Sequence, residues 1–294
     1  MGQQTETTAK LDTGELADGW SKKKGRKPKF LLQTRVSART DLGRVRENNE
    51  DKFEFCEPEE PEILAIKGYF YAVADGMGGH ASGQIASELA LKQIIRSYYR
   101  DPAGDVEDSL RQAFQSANSY IYDAAIAVPE RNGMGTTCTV AVLRDDHMYA
   151  AHVGDSRLYL VRDESIRRVT EDHSWVEEQV KRGALTREEA EMSPFRNVIT
   201  RSLGAAPDVE VDVCREKVRK GDVLVLCSDG LSAYVSDGEI LELVSSWSPG
   251  MATLKLIDRA NEAGGGDNIT VLVVAIRDIQ KARGRGRLPK LLRK

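Results

Sequence analysis

Short apolar runs that stop at acidic residues constrain this chain more than any other feature. Val223–Cys227 and Ile269–Ile276 are almost wholly apolar, the pattern of strands buried on both faces. Tyr69–Ala74, aromatic and β-branched, also reads as a strand. It stops at Asp75-Gly76, Val223–Cys227 stops at Ser228-Asp229-Gly230, and Asp267 stands just before Ile269. One Asp-Gly alone is an ordinary turn. Three acids at the ends of buried strands have a further consequence. If the last strand runs antiparallel to the other two, Asp75, Asp229 and Asp267 gather at one edge of a sheet.

The segments between these runs set the fold class. Leu32, Thr34, Val36 and Ala38 alternate with polar residues, as in a half-buried strand. Ser82–Tyr99 places Leu91, Ile94, Ile95 and Tyr98 at helical spacing, and Val106–Ala127 repeats the pattern with Val106, Leu110, Ala113, Phe114, Ala117 and Ile121. Thr137–Leu143, Met148–Val153, Arg157–Val161 and Ile166–Val169 are short strands separated by turn residues. Ser174 with Glu177, and Thr186 with Glu189, have capping-box spacing and predict two short helices. Helices near Asp237–Val244 and Ala252–Glu262 precede the last strand. Strands in meanders with helices arriving in pairs argue for antiparallel sheets covered by helices, an α+β arrangement rather than a doubly wound sheet.

Composition narrows the function classes. A chain of 294 residues can bury a large core by itself. Cys56, Cys138, Cys214 and Cys227 form no C-x-x-C pair, which fits reduced thiols rather than a disulfide framework or a zinc site. No apolar run reaches the roughly 18 residues of a bilayer span, and no charged start leads into an apolar segment. A cytoplasmic protein without a membrane span is therefore expected. Residues 1–40 carry net +5 and residues 277–294 net +7; with a total of −4, residues 41–276 hold −16. Residues 1–30 and 278–294 read as disordered basic tails, with anionic partners as the alternative use. The acidic middle points to cations.

Carboxylates a few ångströms apart cannot all stay ionised unless a cation neutralises them. Oxygen ligands, with no cysteine nearby and only four histidines in the chain, select hard ions such as Mg²⁺ or Mn²⁺. Upstream, Arg44-Val45-Arg46-Glu47-Asn48-Asn49-Glu50-Asp51 is densely polar. Glu50 or Asp51 could add an acid to a second metal, and the planar fork of Arg46 suits an anion. A solvated loop of mixed charge is the plainer reading of the same residues.

Six short motifs follow one another along the chain. They are Arg46-x-x-x-Glu50-Asp51, Asp75-Gly76-Met77-Gly78-Gly79-His80, Gly135-Thr136-Thr137, Gly154-Asp155-Ser156-Arg157, Ser228-Asp229-Gly230 and Asp267-Asn268. In these, from about Leu32 to Arg277, the chain resembles the metal-dependent, type 2C serine/threonine protein phosphatases of bacterial type. The resemblance implies a four-layer α-β-β-α sandwich, two mainly antiparallel sheets flanked by helices, in one domain over residues 31–277. It implies one metal on Asp75, Asp229 and Asp267. A second would sit on Glu50, Asp75 and the Gly76 carbonyl, and a third, weaker one on Asp155 with Asp229. Arg46 matches the family's phosphate-binding arginine, and Asp51 a residue that supports metal-bound waters. On this reading a water bridging two Mg²⁺ or Mn²⁺ ions attacks phosphoserine or phosphothreonine without a phosphoenzyme.

One position departs from the animal members of that family. Met77 stands where they carry the histidine proposed to protonate the leaving oxygen, and His80 lies three residues further on. The general acid is therefore unassigned. Residues 172–204 resemble the bacterial flap, in which Arg187, Arg196 and Arg201 are candidate contacts to phosphopeptides. The implied partners are phosphoproteins, among them a Ser/Thr kinase, and a monomer is expected. Two other functions compete. A binding-only pseudophosphatase is opposed by the full set of acids. A two-metal nuclease, suggested by the basic tails, is opposed by the acidic core and by the lack of an aromatic-basic groove.

Overall fold

The computed structural model of the chain describes residues 26–79, 81–101 and 105–282. The first half runs β1 (Phe30–Asp41), β2 (Lys52–Cys56), α1 (Pro61–Ile66), β3 (Tyr69–Ala74), β4 (Gly76–Met77), α2 (Ala81–Arg100) and α3 (Val106–Ala127). A meander follows, with β5 (Gly135–Thr136), β6 (Cys138–Arg144), β7 (His147–Val153), β8 (Arg157–Arg162) and β9 (Ser165–Arg168). Then come α4 (Trp175–Lys181), α5 (Arg187–Met192), β10 (Asp212–Lys217) and β11 (Val223–Cys227). The chain closes with α6 (Asp229–Ser232), α7 (Asp237–Ser246), α8 (Pro249–Glu262) and β12 (Ile269–Lys281).

Two five-stranded antiparallel sheets, ordered β1-β12-β11-β8-β9 and β10-β7-β6-β3-β2, lie face to face. Strand side chains alternate between faces, and here both faces are covered. In β12, Leu272, Val274 and Ile276 enter the core between the sheets, while Ile269, Val271 and Val273 pack with residues of α7 and α8. In β3, Tyr71 and Val73 face the other sheet, and Phe70, Ala72 and Ala74 pack with α2 and α3. Three apolar cores thus separate four layers. Each fully buried Val, Leu, Ile or Phe contributes about 1.5–3 kcal/mol, which accounts for the continuous apolar runs.

The order of strands changes where the acids come from. β3 belongs to one sheet, β11 and β12 to the other. Asp75, Asp229 and Asp267 therefore do not line one sheet edge, as the sequence suggested; they meet across the two sheets at one end of the sandwich. The packing of β3 on β12 through the inter-sheet core brings the strand ends together.

The last strand also runs on to Lys281, past the expected strand end at Ile276. Leu32 pairs with Ile279 across the β1–β12 ladder, and both pack against the inter-sheet core. The charged residues around Ile279 hide that continuation in the sequence. Residues 1–25 and 283–294, which hold most of the two basic segments, lie outside the described residues, as does His80.

Two edge strands, β2 and β10, were not evident from apolar pattern. β10 reads DVCREK and is largely exposed, so Cys214 is exposed while Cys56, Cys138 and Cys227 are buried. Of the two predicted capping boxes, Thr186–Glu189 forms in full. Ser174 Oγ accepts from the Glu177 N–H, but the Glu177 carboxylate turns to Arg168 and Arg187 instead of closing the box. Among the described residues no helix is long and apolar enough to cross a membrane.

Candidate metal centre

Asp75 leaves β3 in a backbone held on both sides. Thr137 Oγ1 accepts from the Asp75 N–H at 3.0 Å, and the Asp75 carbonyl accepts from Thr136 Oγ1 at 2.8 Å and the Thr137 N–H at 2.9 Å. Gly76, which follows, donates its N–H to the Glu50 carbonyl at 3.2 Å. A Cβ on Gly76 would stand 2.1 Å from the Gly83 carbonyl oxygen. A Cβ on Gly83 would stand 1.8 Å from Glu50 Oε2. Two glycines thus let α2 lie directly against the Glu50 carboxylate and the Asp75-Gly76 turn.

The opposite sheet supplies Asp229 and Asp267. Asp229 opens α6 beside Asp75 and Asp267. A Cβ on Gly230 would stand 1.9 Å from the Asn268 carbonyl oxygen, so these two turns pack backbone on backbone. Arg46 Nη2 donates to Asp267 Oδ2 at 2.7 Å from a half-exposed position. Behind them Asp51 is buried and accepts from Ser228 Oγ at 2.6 Å.

Asp155 is buried at the β7–β8 turn. Gly154 takes φ +113°, a conformation suited to glycine, and a Cβ there would meet the Thr137 Cβ at 2.5 Å. Gly154 N–H donates to His173 Nδ1 at 3.0 Å, and the His173 N–H donates to the Gly154 carbonyl at 2.7 Å. Arg157 grips Asp172 with Nε and Nη2. The root of the flap therefore fixes both flanks of Asp155.

Burial and mutual repulsion raise these acids together. Burial pushes Asp51 up to about 7, partly opposed by its bonds to Ser228 and Thr270. Asp155 is pushed up to about 8 by burial and by Asp229. Asp75 rises well above the usual carboxylate range through burial, then through Asp51, Asp229, Asp155 and Asp267. Asp229 rises through burial and Asp267.

The donor set suits a hard divalent cation. Asp155 Oδ1 and Asp229 Oδ1 are buried with no hydrogen-bond partner, an arrangement that costs free energy unless a cation or proton satisfies it. The carboxylates do not form a ready-made cage: among the described residues no group of three His, Cys, Asp or Glu side chains is arranged around a common point. Asp267 turns toward Arg46 and Asp51 toward Ser228. A metal bound here would have to draw these carboxylates away from their present partners. A cavity of about 420 Å³ lies elsewhere, against β7 and β10, and none of these acids lines it.

All eight residues singled out around the acids, Arg46, Glu50, Asp51, Asp75, Gly76, Asp155, Asp229 and Asp267, fall in this region. The flap arginines divide differently. Arg187 makes a bidentate pair with Glu177, and Arg201 bonds Glu210 and Asp212. Arg196 is exposed on the loop after α5. Met77 pairs with Gly135 in the two-residue β4–β5 ladder. The sequence alone does not mark Ser228, Asn268, Gly83 and His173 as site residues. Ser228 and Asn268 stood inside quoted motifs, whereas a glycine early in a helix gives no signal of what lies across from it.

A family model for protein phosphatase 2C matches residues 37–182. The serine/threonine phosphatase stp of Listeria innocua serovar 6a is 37% identical over 254 residues, covering 83% of this chain and 97% of that one. The crystal structure of the Mycobacterium tuberculosis serine/threonine phosphatase PstP/Ppp superposes with a TM-score of 0.75 at 37% identity, over 84% of this chain and 100% of that one. A structure of the PstP catalytic domain in complex with two manganese ions gives a TM-score of 0.73 at 36% identity, with the same coverage. By sequence and by fold, this chain belongs to the protein phosphatase 2C family, in its bacterial serine/threonine branch.

Proposed function

We propose that the chain hydrolyses phosphoserine and phosphothreonine in proteins, using Mg²⁺ or Mn²⁺ held among the strand-end acids. The observation that carries this is the pair of buried, unpartnered oxygens on Asp155 and Asp229 within a cluster of mutually raised carboxylates. Asp75, Asp229 and Asp267 would hold one ion, and Glu50, Asp75 and the Gly76 carbonyl a second. Asp155 with Asp229 would hold a third. Bound there, the ions supply a water of lowered pKa and neutralise charge on the phosphoryl oxygens.

The chain's own groups do the rest. Arg46 binds phosphoryl oxygens through its planar fork. To do so it exchanges Asp267 for substrate, and a pair this exposed is worth only about 0–1 kcal/mol. Asp51, tied to Ser228, orients solvent beside the acids. Proton donation to the leaving oxygen has no assigned side chain, since Met77 cannot donate. The catalytic unit spans residues 31–277, with β12 continuing to Lys281, and the basic ends are proposed to meet anionic partners. Phosphoproteins including a Ser/Thr kinase are the proposed substrates, acted on by a monomer in the cytoplasm.

Release of phosphate from a phosphothreonine peptide, measured with excess Mn²⁺ and with chelator, tests the proposal. Asp229→Ala is expected to be nearly inactive. Turnover of neither phosphopeptide nor para-nitrophenyl phosphate would sink it, and faster cleavage of a phosphodiester would favour a nuclease.

A further inference from the structure

The loop that carries Arg46 and Glu50 has almost nothing apolar to hold it. Residues 42–50 contain no strand or helix, and the apolar residues in them, Leu42 and Val45, are 40% and 68% exposed. Its position must come from polar contacts, and three of these converge on one side chain. Asn268 Nδ2 donates to the Leu42 carbonyl and to the Asn48 carbonyl, each at 3.0 Å. Asn268 Oδ1 accepts from the Glu50 N–H at 2.8 Å. The amide is buried, 5% exposed, and these bonds use both donors and the acceptor.

We propose that Asn268 is a positioning residue for both halves of the chemistry: its amide pins the start and the end of the 42–50 loop against the Asp267 turn. Glu50 and Arg46 are thereby presented to the acids of the opposite sheet. The inference rests on the reading of this site as a metal-dependent phosphatase centre. Two further contacts show how closely the loop is seated. Arg44 N–H donates to the Gly265 carbonyl at 2.7 Å, and a Cβ on Gly43 would stand 2.1 Å from the Asp267 carbonyl oxygen. Those contacts fix residues 43–44, and Gly76 N–H and Ser87 Oγ hold the Glu50 carbonyl; Asn268 ties Leu42, Asn48 and the Glu50 N–H to one side chain. Supporting groups of this kind hold a ligand in the geometry a metal requires.

A matched control exists in the same chain. Asn118 is also fully buried and also clamps a loop by three bonds, donating to the carbonyls of Ala206 and Pro207 and accepting from the Gly204 N–H. Its loop carries none of the proposed ligands. Asn268→Leu and Asn118→Leu keep approximate side-chain shape and remove equivalent hydrogen bonds, so both should lower the melting temperature. Mn²⁺ titration calorimetry on the chelator-stripped full chain then separates position from stability. Asn268→Leu is expected to weaken Mn²⁺ binding at least tenfold and raise KM for para-nitrophenyl phosphate, with Asn118→Leu close to wild type in both. Asn268→Asp, which keeps the acceptor for Glu50 and loses both donors, serves if the leucine variant does not fold; its KM should still rise. Wild-type Mn²⁺ affinity and KM in either Asn268 variant, or an equal loss in Asn118→Leu, would overturn the inference. Absence of Mn²⁺ binding by the unsubstituted chain would instead defeat the phosphatase reading on which the inference rests.

Discussion

Ser228 Oγ donates a 2.6 Å hydrogen bond to Asp51 Oδ2 while accepting from the Thr270 N–H at 3.0 Å, and all three residues are buried. One hydroxyl therefore links the acid next to Glu50 with the turn that carries Asp229 and with β12. Thr270 Oγ1 extends the chain to Thr40 on β1, which also accepts from Asn49 Nδ2.

Removing that hydroxyl takes the Ser228 bond from a buried carboxylate and leaves the buried Thr270 N–H without its acceptor. Such a loss costs about 1–3 kcal/mol, and in a domain of this size 1 kcal/mol moves the melting temperature by roughly 2–4 °C. Ser228→Ala should therefore melt about 4–8 °C lower, taking a mid-range cost of about 2 kcal/mol. A shift under about 1 °C in calorimetry would mean that the bond contributes little.

The raised acids fix the sign of a pH effect. Their folded pKa values, about 7 for Asp51 and about 8 for Asp155, exceed the ordinary value of an unfolded aspartate. Between about pH 4 and pH 8 the native state thus holds protons that the unfolded chain has released. Stability from these groups is complete below the unfolded value and declines as pH rises, by at most about 1.4 kcal/mol per pH unit for each such proton. Chelator-stripped protein should melt progressively lower from pH 5 to pH 8. Added Mn²⁺ competes with those protons, so its stabilising effect should be larger at pH 8 than at pH 5. The opposite trend in a melting series would mean that burial and mutual repulsion do not raise these acids.

How much of this was visible in the chain depended on the kind of signal. The helix Val106–Ala127 and the strands ending at Asp75 and Asp229 were legible because burial on a regular element writes a period into the sequence. The site acids were legible only together, as motifs in a fixed order. Which sheet each acid belongs to was not legible, because strand order arises from pairings such as Leu224 with Val274 and Leu160, which any apolar strand could make. Nor was the role of Asn268, whose three partners lie 218 to 226 residues away. Edge strand β10 escaped notice because solvent on its exposed side leaves no alternation to read.

Gly83 tests the close approach of α2 to the site. In an exposed helix, Gly→Ala stabilises by about 1 kcal/mol. Here the new methyl would stand 1.8 Å from Glu50 Oε2 and 2.9 Å from the Gly76 carbonyl carbon. The carboxylate can rotate away, but the Gly76 backbone cannot, and overpacking of this kind costs about 1–3 kcal/mol. Gly83→Ala should therefore destabilise despite its better helix propensity, and Mn²⁺ should bind more weakly. A higher melting temperature with unchanged Mn²⁺ affinity would show that α2 can shift freely at this end.

The flap arginines are expected to separate by function. The Glu177 side chain is only 7% exposed and is held by Arg168 and by both terminal nitrogens of Arg187. Arg187→Ala breaks the bidentate tie between α4 and α5 and leaves Glu177 with Arg168; with Arg187 more than half exposed, the loss is about 1 kcal/mol. Its consequence should be faster proteolytic nicking within residues 182–198 and a similar change in activity toward every substrate. Arg196 is exposed, and its removal should leave stability within about 0.5 kcal/mol. If the flap meets the substrate, Arg196→Ala should raise KM for a phosphopeptide severalfold while leaving para-nitrophenyl phosphate untouched, because the small ester is too short to reach the flap. Equal effects on both substrates, or none on either, would remove Arg196 from the recognition surface.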